Sequence, residues 1–354
     1  MVADCSNDTR SNGVLDWVIA RTTYRNRPTL RDIAEITGVS TATVSYVLNG
    51  KGSVGANIQK LVLETAKEVG YRANHAAKAT RTGQTLSIGL ILPDLKNPYF
   101  PQLAQVVQSA ARRAGYAVFL VDSEENEDIE REGAEDLISR GVEGLIWCPA
   151  TEHDSLSEYR IDVPIVVVDR PLPNYDTISS DYYSGGRLLS DHILSLGHKR
   201  IGMIVGPQSL SSAKLRRDGF VDHLDGKAQV EWEVENAFSI DLSNETRARL
   251  GDLEVSAIVC GNDFIAIGVM RALHELGRSV PQDVSVVGFD DIPWARFSIP
   301  GLATVRQPFS KLGTEAAALL IRRITGDDAP QVNMSLDMRL VTRGSLRKAS
   351  SDTR

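Results

Sequence analysis

Four short polar clusters hold the side chains of this chain best suited to chemistry: Asn97-Pro-Tyr-Phe100, Asp169-Arg170, Asn262-Asp263 and Asp290-Asp291. Each follows a short apolar run, at 86–92, 164–168, 255–260 and 284–289. Carboxylates, carboxamides and a guanidinium gathered in one cleft hydrogen-bond a small polar ligand from several sides, and rings such as Tyr99 and Phe100 offer apolar faces beside them. Taken singly, some have plainer readings: Asn97-Pro98 as a turn, Asp290 as a cap for the segment after it. The residue types favour binding over turnover. No Gly-x-Gly-x-x-Gly follows a strand-like run, and no Gly-x-x-x-x-Gly-Lys-Ser/Thr occurs. His75, His153, His192, His198, His223 and His274 show neither metal-ligand spacing nor a nucleophile-plus-base grouping. No cofactor is expected.

A second constellation lies near the front of the chain. Residues 28–50 read as two short helices and a turn. Thr29 caps the first helix, and Asp32, three residues on, completes a capping-box pattern. Leu30, Ile33 and Ala34 form its inward stripe, Gly38 suits the turn, and Ser40 caps the second helix. Val44, Val47 and Leu48 then face the core, which leaves Thr41, Ala42, Ser45 and Tyr46 outward, and Gly50 ends the helix. Such a helix-turn-helix lays its second helix into the major groove of duplex DNA; an ordinary helical hairpin is the plainer reading. Residues 54–70 predict a third helix through Ile58, Leu61, Val62, Ala66 and Val69. Residues 72–83 carry only alanine as apolar payload, too little to hold a helix without a partner.

These residues need a scaffold, and the rest of the chain describes one. At 354 residues there is length for two or three domains with a real core. No apolar run approaches the roughly 18 residues of a membrane span, and the first residues lack the basic-then-apolar pattern of a signal peptide. Cys5, Cys148 and Cys260 are odd in number and far apart, which suits structural thiols in a reducing cytoplasm. Charge is unevenly placed. Residues 27–83 carry eight bases against four acids, a net of +4, and residues 1–26 balance, so the overall −7 leaves −11 on residues 84–354. A basic head on an acidic body fits a DNA-binding module joined to a domain with another task. From Leu86 onward apolar runs at 86–92, 116–121, 143–147, 164–168, 200–205, 255–260 and 284–289 alternate with helical stretches at about 99–114, 127–140, 182–196, 211–224, 262–276 and 310–325. That rhythm predicts parallel sheets with right-handed crossovers, in two doubly wound subdomains divided by a break around 170–178.

In order along residues 28–344, the motifs Thr29-Leu-Arg-Asp-Ile-Ala, Gly38-Val-Ser, Thr43-Val-Ser-Tyr-Val-Leu-Asn-Gly, Gly70-Tyr, Arg81-Thr-Gly, Asn97-Pro-Tyr-Phe, Asp169-Arg-Pro, Gly197-His, Gly261-Asn-Asp and Val280-Pro-Gln-Asp-Val-Ser-Val-Val-Gly-Phe-Asp290 give the chain a clear resemblance. It resembles the LacI/GalR family of bacterial repressors. The resemblance implies a homodimer on a near-palindromic duplex operator, with a periplasmic-binding-protein-like core that takes a small effector. It gives base reading to Thr41, Ala42 and Tyr46, phosphate contacts to Thr43 and Ser45, and a helping role to Asn49. Many relatives have arginine in place of Tyr46; a phenol cannot fork onto guanine, so a different operator is expected. A hinge at about 74–81 is implied to contact DNA through Lys78, Thr80 and Arg81, with Thr80 standing where relatives insert a leucine wedge. Ala73 likewise replaces a frequent proline, and Gln59 a frequent phosphate-contacting arginine.

The effector site carried over comprises Asn97, Asp169, Arg170, Arg216, Asn262, Asp290 and Gln307, with Tyr99, Phe100 and Phe238 as aromatic plates. Its similarity to ribose-binding members of the wider superfamily implies D-ribose or a related pentose or hexose. The expected plan is an N-terminal all-α helix-turn-helix headpiece plus an α/β core: an extension at 1–26, the headpiece at 27–72, hinge and linker at 73–85, the effector domain at 86–344 and a tail at 345–354. Within the core, one subdomain takes about 86–172 and 306–330, the other about 173–305 and 331–344. A sugar receptor with no DNA role, and a regulator answering to a purine or a phosphoprotein, are the alternatives.

Overall fold

Local capping chemistry builds the N-terminal unit, residues 1–83, and alternating apolar runs build the C-terminal unit, residues 84–354. A computed structural model describes residues 28–50, 54–72, 83–159, 161–251 and 254–349. The expected extension at 1–26 and the hinge residues Lys78, Thr80 and Arg81 lie outside the described residues. In the first unit α1 (Leu30–Thr37), α2 (Thr41–Leu48) and α3 (Ala56–Glu68) pack through Ile33, Ala34, Val44, Val62, Ala66 and Val69. The Thr29 N–H donates to the Asp32 carboxylate at 2.7 Å, and the Thr29 hydroxyl accepts from the Asp32 N–H at 3.4 Å. That reciprocal pair fixes where α1 starts. Gly38 stops it with φ +71, a left-handed conformation that a side chain would strain. The Ser40 hydroxyl then accepts from the Thr43 N–H at 3.1 Å and starts α2.

The second unit has two lobes. In the first, β1 (Ser87–Leu92), β2 (Ala117–Asp122), β3 (Leu145–Trp147), β4 (Ile165–Val168), β5 (Asp176–Ser180) and β11 (Asn333–Leu336) form a parallel sheet in the order β11-β5-β4-β3-β1-β2. Side chains alternate across it. Ile88, Leu90 and Leu92 share a core with Leu103 and Val107 of α4 (Tyr99–Arg113) and Leu312 and Ala316 of α11 (Phe309–Ile324). Ile91, Leu145 and Trp147 face the other way, onto Ala134 and Leu137 of α5 (Glu127–Ser139). In the second lobe, β6 (Arg200–Val205), β7 (Gln229–Glu235), β8 (Ala257–Cys260) and β9 (Ser285–Val287) form a parallel sheet in the order β7-β6-β8-β9. Around it lie α6 (Tyr182–Ser195), α7 (Ser211–Val221), α8 (Asn244–Gly251), α9 (Asp263–Glu275) and the short α10 (Pro293–Phe297), with an antiparallel pair, β10 (Thr304–Arg306) and β12 (Arg339–Val341).

The expected lobe boundaries need correction. β5 pairs with β4 and β11 pairs with β5, so the first lobe runs on through Ser180 and regains residues 333–336. The chain passes between lobes near Asp181, Gln307 and Asp337, not at 172 and 330. β5 and β11 escape the hydropathy pattern because four of the five residues of β5 and two of the four of β11 are polar. β7, an edge strand in which valine and tryptophan alternate with glutamine and glutamate, escapes it likewise. One packing detail fixes the site below. A Cβ on Gly186 would sit 2.2 Å from the Arg216 carbonyl oxygen, and one on Gly219 2.0 Å from that of Tyr183. Glycine at both positions therefore lets α6 and α7 touch backbone to backbone. Among the described residues no helix is long and apolar enough to cross a membrane.

Candidate functional site

On the headpiece, the first-turn residues Thr41 and Ala42 of α2 are exposed, and Tyr46 is 55% exposed. The other residues expected there are tied locally. The Thr43 hydroxyl lies 2.8 Å from that of Ser40, and the Asn49 amide donates to the Ser45 carbonyl at 2.7 Å. Those bonds hold the two ends of α2 in shape and leave the phenol and the small residues to face outward.

In the core, both sheets reverse their strand order beside the first strand of the lobe, between β1 and β3 and between β6 and β8. Doubly wound sheets bind ligands at that point, outside the carboxyl ends of the strands. Nine of the ten expected effector residues, all but Gln307, line one cavity there together with Ser212. Asn97 follows β1 and Asn262 follows β8. Each spends its side-chain oxygen on a helix start, accepting from Tyr99 N–H at 3.1 Å and Ile265 N–H at 2.9 Å. Turn or cap and lining are thus the same residue, not competing readings. The Tyr99 hydroxyl donates to Asp169 Oδ1 at 2.7 Å, and Tyr182 donates to the same oxygen. Burial, then the Asp169 charge, pushes both phenols well above their ordinary range.

Opposite them, Asp290 Oδ1 accepts from Gln307 Nε2 at 2.7 Å and pairs with Arg216 Nη1 at 3.1 Å. Burial pushes Asp290 up to about 6, with Arg216 and Gln307 opposing the shift. Gln307 does not line the cavity; it braces Asp290, and its own oxygen accepts from the Ser180 hydroxyl at 2.7 Å. Arg216 also donates to the Gly261 carbonyl at 2.9 Å, and its guanidinium carbon lies 4.3, 4.8 and 5.6 Å from the ring centres of Phe289, Tyr182 and Phe238. That aromatic box favours the cation. Arg170 donates to the Pro149 and Ala150 carbonyls at 2.7 and 2.5 Å, while its buried Nε makes no hydrogen bond and lies 3.8 Å from Asp169 Oδ2. The cavity is about 20 Å³, room for roughly one water.

Tyr182, Ser180 and Ser212 were not foreseen as site residues. Tyr182 and Ser180 follow from β5, whose polar character hid it. Ser212 lies one turn before Arg216 on α7 and could have been found from that spacing.

A small helical unit with an exposed recognition face, joined to a two-lobed α/β clamp, defines a DNA-binding regulator with a ligand-sensing core. The chain belongs to the LacI family of bacterial regulatory proteins. The model of that family matches residues 29–74, and that of the periplasmic binding protein-like domain matches residues 190–346. The chain is 33% identical to the HTH-type transcriptional repressor PurR of Pasteurella multocida, over 90% of this chain and 98% of that one. It is 34% identical to the ribose operon repressor of Halalkalibacterium halodurans, over 89% and 96%. Among solved structures, it is similar to the Lac repressor dimer bound to operator and the anti-inducer ONPF, with a TM-score of 0.79 and 28% identity over 90% of this chain and 99% of that one. The protein is a DNA-binding transcription regulator, and these relatives are regulators, not enzymes.

Proposed function

We propose that the protein is a homodimeric repressor whose grip on a near-palindromic operator is set by a small sugar, D-ribose or a closely related pentose or hexose. Thr41, Ala42 and Tyr46 read bases, while Thr43, Ser45 and Asn49 shape the recognition helix and meet phosphates; Lys78, Thr80 and Arg81 add hinge contacts. The observation that carries the effector reading is the convergence of Asp169 and Asp290 with Asn97, Asn262, Arg170 and Arg216 on one interlobe cavity. Two carboxylates beside amides and guanidinium groups match vicinal hydroxyls, each both donor and acceptor. The likeness to the ribose operon repressor supports the same class. A flat purine, the reading that the likeness to PurR favours, would face two carboxylates with few donors to offer them.

Occupancy changes operator affinity by the difference in effector affinity between the conformations of the core. Calorimetric titration with a panel of pentoses, hexoses and purines tests the proposal, paired with selection of bound duplexes with and without each ligand. Heat from a pentose or hexose, with a matching change in operator affinity, is expected. Heat from a purine alone would overturn the effector, and failure to retain any duplex would overturn the operator assignment.

A further inference from the structure

Three helices of the core start under a cap from the residue just before them: Asn126 for α5, Asp181 for α6 and Asn262 for α9. α7 does not. Leu210 stands at its cap position and its side chain makes no hydrogen bond there. The acceptor comes instead from the other lobe: Glu152 Oε1, in the segment after β3, accepts from the Ser211 N–H. A helix start leaves its first N–H groups open, and its dipole favours an anion beside them. Such a contact persists only while the two lobes are together. Glu152 stands on a fixed base. The fully buried Glu130 of α5 accepts from the Ala150 N–H at 2.6 Å and the Ser155 hydroxyl at 2.5 Å, and Glu127 accepts from the Thr151 hydroxyl. The same segment gives its Pro149 and Ala150 carbonyls to Arg170. Across the cleft, Ser211 is followed on α7 by Ser212 and Arg216. Arg170, Ser212 and Arg216 all line the effector cavity. One segment thus holds a cavity guanidinium of its own lobe and grips the helix that carries the other.

We propose that residues 149–155 form an interlobe latch with Glu152 as its catch. By capping α7 from the opposite lobe, Glu152 holds the lobes together in the described conformation and sets how often the cavity opens to admit a ligand. The proposal rests on the reading of that cavity as the effector site, and on no particular ligand. Glu152 is a positioning residue: it lines no part of the cavity and acts through α7. Its side chain is exposed, where water and salt weaken the bond and let it break and re-form. If α7 needed only a cap, a polar residue at position 210 would serve, as the preceding residue does for α5, α6 and α9. A carboxylate anchored on the other lobe ties the start of α7 to closure of the cleft.

The test is amide hydrogen exchange of the full chain without ligand, read by mass spectrometry on segments 167–172 and 262–268. These meet the cavity from opposite lobes, and neither contains Glu152 or any of α7. Exchange there reports how often the cleft opens. In E152A both segments are expected to exchange about fivefold faster, the effect of losing one helix cap. E152Q, which keeps an acceptor oxygen and loses the charge, falls between. E235A is the matched control: Glu235 accepts from the Gln208 N–H at 3.2 Å, just before α7 but within one lobe, so its loss leaves both segments at wild-type rates. Unchanged exchange in E152A overturns the proposal. So does acceleration confined to the first turn of α7, which would make Glu152 a cap alone. An equal rise in E235A, or a rise shared by the buried strands β1 and β6, overturns it too, because the change would then be a general loss of stability. D-ribose added to wild type slows exchange at the same segments. Its failure to do so would count against the sugar assignment alone, since the latch is read without ligand.

Discussion

Replacing Asp290 by asparagine keeps the side chain's shape, removes its charge, and tests the effector cavity where its electrostatics are most demanding. Burial raises this carboxyl from its ordinary 3.8 to about 6. That difference corresponds to about 3 kcal/mol, the net cost of keeping the group charged at neutral pH after Arg216 and Gln307 have offset part of its desolvation. The charge is retained because it makes strong acceptors. Hydrogen bonds to charged groups contribute about 1.5–3 kcal/mol, against about 0.5–1.5 kcal/mol for neutral ones. A sugar that gives two hydroxyls to this carboxylate therefore loses about 2 kcal/mol in the D290N variant, a rise of about thirtyfold in Kd. Titration of wild type and D290N with the sugar identified by the panel measures it directly. Operator affinity without sugar is the control, expected to hold within a few fold because the headpiece residues are unaltered. Wild-type sugar affinity in a D290N chain with an unchanged unfolding transition would refute the reasoning.

Four further outcomes follow from the same structure. Sugar affinity falls as pH drops below about 6, because protonated Asp290 ceases to be a two-oxygen acceptor; a flat calorimetric profile down to about pH 5 would contradict this. For stability the sign is opposite: the folded chain holds this proton more tightly than the unfolded chain, so the group favours folding most below its ordinary 3.8, and that contribution is lost as pH rises through about 6. Thermal unfolding of wild type against D290N across that window isolates it. Tyr46→Arg shifts the selected operator towards guanine at one position, by about 1–3 kcal/mol of discrimination, whereas Lys60→Ala, which removes an exposed cation of α3, weakens all duplexes alike and lowers the salt slope by about one. Ile33→Ala, at a fully buried position in the headpiece core, costs about 2–5 kcal/mol; operator binding is lost while the heat of sugar binding is retained.

What could be read from the sequence, and what could not, divides by the range of the interaction. The headpiece was readable because its determinants are three or four residues apart: Thr29 with Asp32, Ser40 with Thr43, Gly38 at a left-handed stop. The strand ends of the core were readable where strands are wholly apolar, as in Ile88–Leu92, so Asn97 and Asn262 could be placed after β1 and β8. Strands whose residues alternate or carry serine and aspartate were not, and with them went Tyr182, which starts α6 directly after β5. Orientation was also hidden. Nothing near Arg170 in sequence shows that it holds the Pro149 and Ala150 carbonyls, some twenty residues upstream, nor does the surrounding sequence tell a brace such as Gln307 from a lining residue.

If the proposed sugar binds in this cavity, the cavity's small size couples binding to a change of conformation. With room for roughly one water, the described conformation holds no pentose; either the lobes part at the crossings near Asp181, Gln307 and Asp337, or Arg216 leaves its aromatic box. In both cases the sugar exchanges bonds rather than adding them. On the proposed reading its hydroxyls would take the places of the Tyr99 and Tyr182 phenols on Asp169 and of the Arg216 guanidinium on Asp290. Hydroxyl for hydroxyl, the exchange on Asp169 is close to even; on Asp290 a neutral donor replaces a charged one and is the weaker partner. The surplus must come from apolar contact with Phe100 and Phe238 and from reseating Arg216 on the ligand. Discrimination then rests on whether a sugar's hydroxyls reach both carboxylates at once. That demand is geometric, and it separates epimers of equal polarity, which a preformed apolar pocket would hold alike.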